Sequence, residues 1–370
     1  MKKRKLSLRH ATSADFPAIT SLLDRAFEPK GIEQRTRLWR WRYDANPARI
    51  PEMPCFLVAE KGGRIVAVHG FTPMRVKVGE RRYCAACSCD FVVDPSARSA
   101  GMKIKLKALS KEISPLPIST SANEQANRIT LSLGGREVSS GRRSLLKPMK
   151  AGGFVRRMVA GKAGAVGQTL AGMSSIVAGK PLDWLLGIRR AFQSFSRVPN
   201  AGIQSIHRFD QRFDDFWERV SKEYSILVVR DASYLNWRYV NYPFSGVESH
   251  GLFSGDELLG FAVIHNHVDE DGLRFVAILE LFVPKGETAA FQHLLGEIIR
   301  RAARGGADYI TAKTSVGEWE ALFKRHGFMA RHSCFSPVTY KNNTDLPDEL
   351  FAEDRNWYLS LGDGDICYYF

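Results

Sequence analysis

The sequence predicts an α+β protein with two tandem domains, each a mixed, mostly antiparallel sheet flanked by helices. Two observations lead to this prediction. Short β-branched and aromatic runs alternate with amphipathic helical segments along the 370 residues, and the order of these segments in the first half returns in the second. A chain of this length can form two domains, each with its own core.

The first half opens with strand and helix signals in regular alternation. Residues 6–9 alternate as a strand, and a capped amphipathic helix follows. Gly62 and Gly63 separate two apolar β-branched runs, which indicates a hairpin. Later strands lead into residues 90–93, a short run that Pro95 ends because proline cannot continue a sheet ladder.

The second half repeats landmarks of the first. Residues 41–43 and 237–239 both read Trp-Arg-Tyr, at an offset of 196 residues, and a proline follows each at the same offset. The pair Gly255-Asp256 lies between two strand-like runs, as the glycine pair does in the first half. Together these matches favour a repeat over chance similarity.

Three regions follow from this pattern. Residues 1–140 are predicted to form the first domain, 141–210 a basic and partly amphipathic helical linker, and 211–370 the second domain. The turn that follows Pro284 contains Glu287, which would repel a phosphate. We therefore expect any phosphate-bearing ligand in the first domain.

The linker region is strongly basic. Between positions 142 and 197 the sequence has eleven Lys or Arg and one acid, Asp183. Such a segment suits peripheral contact with an anionic membrane. It equally suits a linker whose apolar face packs on the domains while its charges stay solvated.

Residues 89–109 combine a strand, a tight turn and the start of a helix. The predicted apolar face of that helix consists of Met102, Leu106, Leu109 and Ile113. Residues 98–101, Arg-Ser-Ala-Gly, lie at the junction. A helix N-terminus offers N–H groups and a positive dipole end to a phosphate, glycine permits close backbone approach, and arginine adds charged hydrogen bonds. An ordinary strand–helix connection would show part of this pattern too.

The pattern V-x-P-x-x-R-x-x-G at 93–101 resembles the acyl-CoA-binding motif of GNAT-type N-acyltransferases, and the opening strand and helix are similar to that family's. The resemblance implies acetyl-CoA or another acyl-CoA as co-substrate. The strand backbone would pair with pantetheine, and the turn would wrap the pyrophosphate. The implied cofactor-binding residues are Val92, Val93, Arg98, Ser99, Ala100, Gly101, Met102, Lys103 and Asn123.

Two positions depart from the family pattern. Lys103 stands where the family usually has Gly or Ala, and it could reach a phosphate or crowd the turn. Asn123 matches the asparagine that touches the pantetheine arm. The family often has a tyrosine near the end of that helix, where it protonates the leaving thiolate, and here the residue is Thr130. Threonine is a poor general acid.

Acyl transfer from a thioester to an amine needs a neutral amine, a polarised carbonyl and a leaving thiolate. A carboxylate on or beside the key strand can take the ammonium proton, and Asp90 is the first candidate and Glu124 the second. Asp90 is equally readable as a structural acid that pairs with a nearby arginine. Backbone N–H groups of Val92 or Val93 could polarise the carbonyl.

Three functions fit these residues. The first is an N-acyltransferase acting on a small primary amine. Its tandem form resembles GNAT-like proteins of bacterial polysaccharide assembly, which implies an amino-sugar acceptor. The second is an aminoacyl-tRNA-dependent transferase of the same fold. The third is a non-catalytic binding or scaffold protein.

Composition sets further expectations. Apolar residues make up 44% and charged residues 25%, with a net charge of +14, which is typical of a globular protein with polyanionic partners. Cys84, Cys87 and Cys89 could be metal ligands, but reduced thiols packed in a strand fit better, so no metal is expected. We expect a cytoplasmic protein, with the inner face of the membrane as a peripheral site and no specific nucleic-acid partner.

Overall fold

The computed structural model describes residues 6–27, 29–97, 100–120, 122–139, 143–150, 152, 195–269, 271–332 and 338–364. These residues form two compact units. One unit takes the described residues of 1–142, 224–243 and 334–358, and the other takes those of 143–223, 244–333 and 359–364. The predicted boundaries at 140 and 210 stay a prediction, since most of 141–210 lies outside the described residues.

The strands are numbered in chain order. They are β1 Leu6–His10, β2 Phe56–Lys61, β3 Arg64–Val78, β4 Arg81–Val93, β5 Leu116–Ser119, β6 Arg136–Val138, β7 Arg143–Pro148, β8 Ala201–Ser205, β9 Ile226–Val228, β10 Val247–Ser254, β11 Glu257–Val268, β12 Arg274–Phe282, β13 Tyr309–Lys313, β14 Met329–His332, β15 Val338–Tyr340 and β16 Trp357–Tyr358.

The α-helices are numbered in the same way. They are α1 Phe16–Ala26, α2 Gly31–Trp39, α3 Ala100–Ser110, α4 Glu124–Ser132, α5 Gln211–Val220, α6 Ala232–Leu235, α7 Thr288–Arg304, α8 Gly317–Arg325 and α9 Asp348–Ala352. Two π-helical turns, Arg40–Asp44 and Asn236–Val240, continue α2 and α6.

Each unit holds one mixed sheet. The first unit has the order β1-β2-β3-β4-β5-β15-β6, with β9 added beside β3 and β16 beside β9. The second has the order β8-β10-β11-β12-β13-β7-β14. Neighbours are antiparallel except for β4/β5, β12/β13 and β9/β16. Two mixed, mostly antiparallel sheets flanked by helices confirm the predicted fold class.

The two sheets exchange one strand between the halves of the sequence. In the first sheet the place between β5 and β6 belongs to β15, which comes from the second half. In the second sheet the place between β13 and β14 belongs to β7, which comes from the first half. Each half of the sequence therefore contributes one strand to the other half's sheet.

The glycine pair forms the predicted hairpin. Lys61 pairs with Arg64, and the two residues between them have φ values of 60° and 76°. Both angles lie in the left-handed region, where glycine carries no Cβ penalty, and they match the twist of the flanking strands.

Helix α3 lies where the sequence predicts it, but the prediction that all four apolar residues are buried is wrong for one of them. Met102 and Leu106 are buried in the apolar core with β2–β4. Leu109 is 40% exposed, and Lys107 is buried instead. The face of α3 that packs on the sheet is therefore rotated about the helix axis relative to the predicted face. It includes Lys107 and leaves out Leu109.

The two Trp-Arg-Tyr segments meet inside the first unit. Trp41 Nε1 donates to the carbonyl of Trp237 at 2.6 Å, and Trp237 Nε1 donates to the carbonyl of Trp41 at 2.7 Å. Their indole rings stack with centroids 5.0 Å apart and planes 14° apart. Both indoles are buried, so water cannot accept hydrogen bonds from their N–H groups. The reciprocal contact gives each N–H a carbonyl acceptor instead.

No helix among the described residues is both long and apolar enough to cross a bilayer. Most of 142–197, the segment for which membrane contact is predicted, lies outside those residues.

Replacing Trp237 by alanine should lower the free energy of unfolding by about 3–5 kcal/mol, because it removes a buried ring and the hydrogen bond that its Nε1 donates to the Trp41 carbonyl. Urea denaturation of the full chain measures the loss. Val240→Ala is the matched control in the same turn. Its side chain is 41% exposed, and we expect a change within about 0.5 kcal/mol. Equal effects of the two substitutions would contradict the importance of the indole pair.

Candidate functional site

The centre of the site is the point where β4 and β5 stop pairing. The two strands run parallel from Ala85 and Leu116 to Cys87 and Ile118. Strand β4 then continues to Val93, while β5 ends one residue later. The last six residues of β4 therefore extend past the paired segment of β5.

A β-bulge occupies this part of β4. Val92 pairs with Val68 and Cys89 with Gly70, so Asp90 and Phe91 stand opposite the single residue His69. The backbone of Asp90 has φ of 49°, a left-handed value that aspartate tolerates better than most residues. Bulges of this kind redirect side chains and often lie beside active sites.

The Asp90 carboxylate is held by an arginine. Arg42 Nη1 donates to Asp90 Oδ2 at 2.7 Å and also to Cys89 Sγ at 3.4 Å. Both members of the ion pair are buried. Arg42 reaches them from the π-helical turn after α2. Arg42 is therefore a specific partner for Asp90, as expected if Asp90 has a structural role. A role of Asp90 as general base stays a prediction.

A lysine occupies the other face of β4. Lys107 Nζ donates to Ser88 Oγ at 3.2 Å and lies 5.2 Å from the centroid of the Phe91 ring. Ser88 Oγ also lies 2.6 Å from His69 Nε2. Because an ammonium can only donate, the hydroxyl proton of Ser88 is left for His69.

Burial shifts both titrating groups of this network. It lowers the pKa of the Lys107 ammonium to about 8. Burial, and then the nearby Lys107 charge, hold the pKa of His69 well below its usual value. At neutral pH the lysine is therefore charged and the imidazole neutral.

A small cavity of about 30 Å³ lies beside this network, between α3, α4, β4, β5 and β15. Lys107, Ser88, Ser119 and Thr130 are among its lining residues. Ser119 Oγ is buried and has no hydrogen-bond partner in the described part of the chain. The Thr130 hydroxyl donates to the carbonyl of Ala126 at 3.0 Å, so it is engaged within its own helix.

The predicted phosphate-binding turn is partly described. Arg98 and Ser99 lie outside the described residues, and α3 begins at Ala100. Gly101 is exposed, and a Cβ added there would meet nothing within 4 Å. Met102 is buried in the core, so only its backbone is available to a ligand at this helix start.

The starts of α3 and α4 are joined by side chains. Lys103 Nζ donates to Gln125 Oε1 at 2.8 Å. Asn123 caps α4, and its Oδ1 accepts from the Ala126 N–H at 2.9 Å. Glu124 points to solvent with 79% of its side chain exposed and pairs with Arg128 at 2.5 Å. The structure thus brings Lys103 close to the Asn123 helix start, whereas Glu124 lies on a solvated face.

A larger cavity of about 600 Å³ opens beside α1, α2 and the segment before β2. Its aromatic lining residues are Phe16, Trp39, Tyr43 and Phe56. Trp39 Nε1 and Tyr43 Oη are buried, and neither has a hydrogen-bond partner within the described ranges. Burial raises the pKa of Tyr43 well above its usual value, which keeps the phenol protonated as a donor.

Phe56, one of these lining residues, packs over Gly70 of β3, which pairs with Cys89 of β4. A Cβ added at Gly70 would lie 2.9 Å from Phe56 Cε1 and 3.1 Å from Cys89 Sγ. Phe56, which lines the cavity, and Cys89 therefore converge over the same glycine. Gly70 has no room for a side chain, which lets the aromatic wall approach the strand.

The strand cysteines lie in β4. Cys87 and Cys89 are buried and Cys84 is half-buried. In the described part of the chain, no group of three His, Cys, Asp or Glu residues is arranged to hold a metal ion.

Comparison with known proteins identifies a family domain in the first part of the chain. Residues 7–113 match the model of an acetyltransferase (GNAT) domain. These residues form a GNAT domain. The match contains β4 with its bulge and all of α3, and it ends just before β5. A search of curated proteins found no significant match.

Solved structures resemble the whole chain in fold. A GCN5-related N-acetyltransferase from Anabaena variabilis ATCC 29413 aligns with a TM-score of 0.61 at 12% identity, covering 92% of this chain and 73% of that one. A conserved protein of unknown function from Enterococcus faecalis V583, described as a probable N-acyltransferase, aligns with a TM-score of 0.57 at 12% identity. The alignment covers 91% of this chain and 73% of that one. A GCN5-related N-acetyltransferase from Kribbella flavida aligns with a TM-score of 0.55 at 15% identity. The alignment covers 91% of this chain and 71% of that one. At these identities the likeness is one of fold.

The GNAT domain supports acyl transfer in general, with an acyl-CoA as co-substrate and an amine as acceptor. Sequence reasoning missed Lys107, Ser88 and Ser119 around the small cavity, and Trp39 and Tyr43 around the large one. The Trp-Arg-Tyr repeat did mark Arg42, but nothing in the sequence pairs that arginine with Asp90.

Replacing Arg42 by methionine should lower the free energy of unfolding by about 3–5 kcal/mol, because it leaves the Asp90 carboxylate buried without its arginine. Chemical denaturation measures the effect. Arg25→Met is the control, since Arg25 is 55% exposed and pairs with Asp94 at 3.4 Å. Exposed pairs contribute about 0–1 kcal/mol. An Arg42 variant as stable as the control would show that the buried pair does not fix the bulge.

Proposed function

We propose that the GNAT domain transfers an acyl group, acetyl in the first instance, from acyl-CoA to a primary amine. The observation that carries this proposal is the geometry of β4. Its pairing with β5 stops at Cys87, its bulge follows at Asp90, and α3 starts at Ala100. Such an arrangement offers a strand edge to pantetheine and, a few residues later, a helix N-terminus to the pyrophosphate.

The residues assigned to acyl-CoA are those of the sequence prediction. The backbone of Val92 and Val93 would pair with pantetheine and polarise the thioester carbonyl. Residues 98–103 would surround the pyrophosphate, and Asn123 would lie along the pantetheine arm. The Lys103 contact with Gln125 supports a lysine that lies over the helix starts and does not fill the turn.

The acceptor side is assigned to the large cavity. Ser88 lines the small cavity, and the Sγ of the next residue, Cys89, lies over Gly70, as does Phe56 from the large cavity. Consecutive strand residues face opposite sides of a sheet, so β4 separates the two spaces and can serve both. The exposed rim contains Asp44 and Glu52, whose charges would attract an ammonium. Aromatic walls suit the apolar face of an amino sugar.

The second sheet is proposed to be a second, degenerate GNAT-like domain that binds no acyl-CoA. Its strand order repeats that of the first sheet, which supports the repeat. Glu287 directly precedes α7 and would repel a pyrophosphate there. A cytoplasmic location, with peripheral membrane contact through 142–197, remains our expectation for the chain.

Gly101→Glu should weaken acetyl-CoA binding by about tenfold or more, because it places a carboxylate at the proposed phosphate site. Calorimetric titration of the full chain with acetyl-CoA and CoA measures the change. Gly101→Ala is the matched control, since the added Cβ meets no atom. Glu287→Gln tests the other half. Both control variants should bind as the wild type does.

Each outcome of this titration selects a function. Micromolar binding that Gly101→Glu removes supports the transferase and justifies a screen of amine acceptors. Binding without turnover of any amine favours the non-catalytic protein. If neither short nor long acyl-CoA binds, the aminoacyl-tRNA-dependent transferase becomes the better hypothesis.

Tyr43→Phe should raise the KM for the amine several-fold, by about 0.5–1.5 kcal/mol of lost hydrogen bonding, and should leave acetyl-CoA affinity unchanged. The reason is that Tyr43 lines the large cavity, and the substitution removes only its hydroxyl, which has no hydrogen-bond partner in the described part of the chain. Steady-state kinetics with the amine found by the screen give the KM. An unchanged KM, or a loss of acetyl-CoA binding, would place the acceptor elsewhere.

A further inference from the structure

Lys107 is a buried ammonium at the one place in the GNAT domain where a thioester is expected. Its Nζ contacts Ser88 Oγ at 3.2 Å and the Phe91 ring at 5.2 Å from the centroid. Phe91 belongs to the bulge with Asp90, and Ser88 lies two residues before Asp90. Within the described ranges, the lysine has no carboxylate partner: its contacts there are this hydroxyl and this ring.

The same small cavity connects Lys107 to the position of the missing acid. Thr130 lines it, but its hydroxyl is bonded to the carbonyl of Ala126. Lys107 lines the cavity from α3. The cavity of about 30 Å³ has room for about one small atom such as a water oxygen or a sulfur. Ser119 Oγ, which is buried there without a partner in the described residues, gives the space a further polar wall.

We propose that Lys107 is the catalytic acid of the GNAT domain, which donates a proton from Nζ to the sulfur of the leaving CoA. This inference rests on the proposed acyl transfer. The amine nitrogen attacks the carbonyl carbon, the carbon–sulfur bond breaks, and its electron pair goes to sulfur. The Nζ proton then converts the thiolate to the thiol. The acceptor nitrogen releases its proton to solvent, and the neutral lysine regains one from solvent.

The charged neighbours set the pH range. His69 on β3 is neutral because burial and Lys107 lower its pKa. Cys87 and Cys89 on β4 raise the pKa of Lys107, and Lys111 on α3 lowers it, with burial as the largest cause and a final value of about 8. Lys111 donates to the carbonyls of Thr130 and Leu133. The acid is therefore protonated at pH 7 and deprotonated above pH 9, so its function should fade across that range.

The test compares binding of CoA with that of desulfo-CoA, which lacks the sulfur, by calorimetry between pH 6.5 and 9.5. This experiment needs no knowledge of the amine. An ammonium beside the thiol favours the thiolate, whose ordinary pKa is about 8.5. The wild type should therefore prefer CoA over desulfo-CoA, by about threefold to tenfold near pH 8.5. Lys107→Met should bind both ligands equally at every pH.

Lys105→Met is the control on the same helix, because Lys105 is exposed and is not among the residues assigned to acyl-CoA. It should keep the preference for CoA. Lys107→Met removes a buried charge, so its melting temperature should not fall. A second readout uses the acceptor once it is found: the fall in kcat above pH 8 should be present in the wild type and absent from the residual activity of Lys107→Met.

The outcomes are separable. If the wild type binds neither CoA nor desulfo-CoA, the proposed function fails. If it binds both with no pH-dependent preference, or if Lys107→Met keeps the preference, acyl-CoA binding stands and the role of Lys107 is overturned.

Discussion

The bulge in β4 is the constraint on which the site of the first unit depends. It inserts one extra residue opposite His69 and leaves Asp90 in a left-handed conformation. A backbone of this kind is costly for most residues, and it persists only where its surroundings fix it. Here Arg42 supplies that fixation through a buried ion pair. The arginine is presented by a π-helical turn, so two irregular segments hold each other in place.

The strand also divides the chemistry of the GNAT domain. On one side Phe56, which packs against Tyr43, lies over Gly70 together with Cys89 Sγ, and on the other a lysine and a histidine share the hydroxyl of Ser88. The first side has aromatic walls and two buried donors, Trp39 Nε1 and Tyr43 Oη, that lack a hydrogen-bond partner in the described part of the chain. On the second side the Lys107 ammonium is buried, so it has lost most of the water that would hydrate it at the surface. A ligand that approaches β4 therefore meets a different environment on each side.

Local signals predicted the local structure well. The glycine pair at 62–63 forms its hairpin, the strand of residues 90–93 ends at the expected turn, and α3 follows. The Trp-Arg-Tyr repeat was visible as a spacing, and its two tryptophans do contact each other. These successes rest on turn chemistry and periodicity, which a few neighbouring residues determine.

Other features could not be read from neighbouring residues. A lysine in a helix is usually solvated, so the burial of Lys107 appears only when the sheet is placed against α3. The same placement exposes Leu109. The partnership of Arg42 with Asp90 joins positions 48 residues apart, and no local pattern encodes it. The cavities depend on several segments at once and are invisible until those segments are assembled.

The strand exchange has a consequence for how the protein is made. During synthesis, β6 emerges long before its sheet neighbour β15, about 200 residues later in the chain. Until then the first sheet lacks a strand between β5 and β6, and its open edges can pair with other chains. A fragment that stops near residue 140 would keep this gap permanently. Each sheet therefore needs strands from both halves of the chain. Synthesis must be nearly complete before either sheet can form all of its strand pairs.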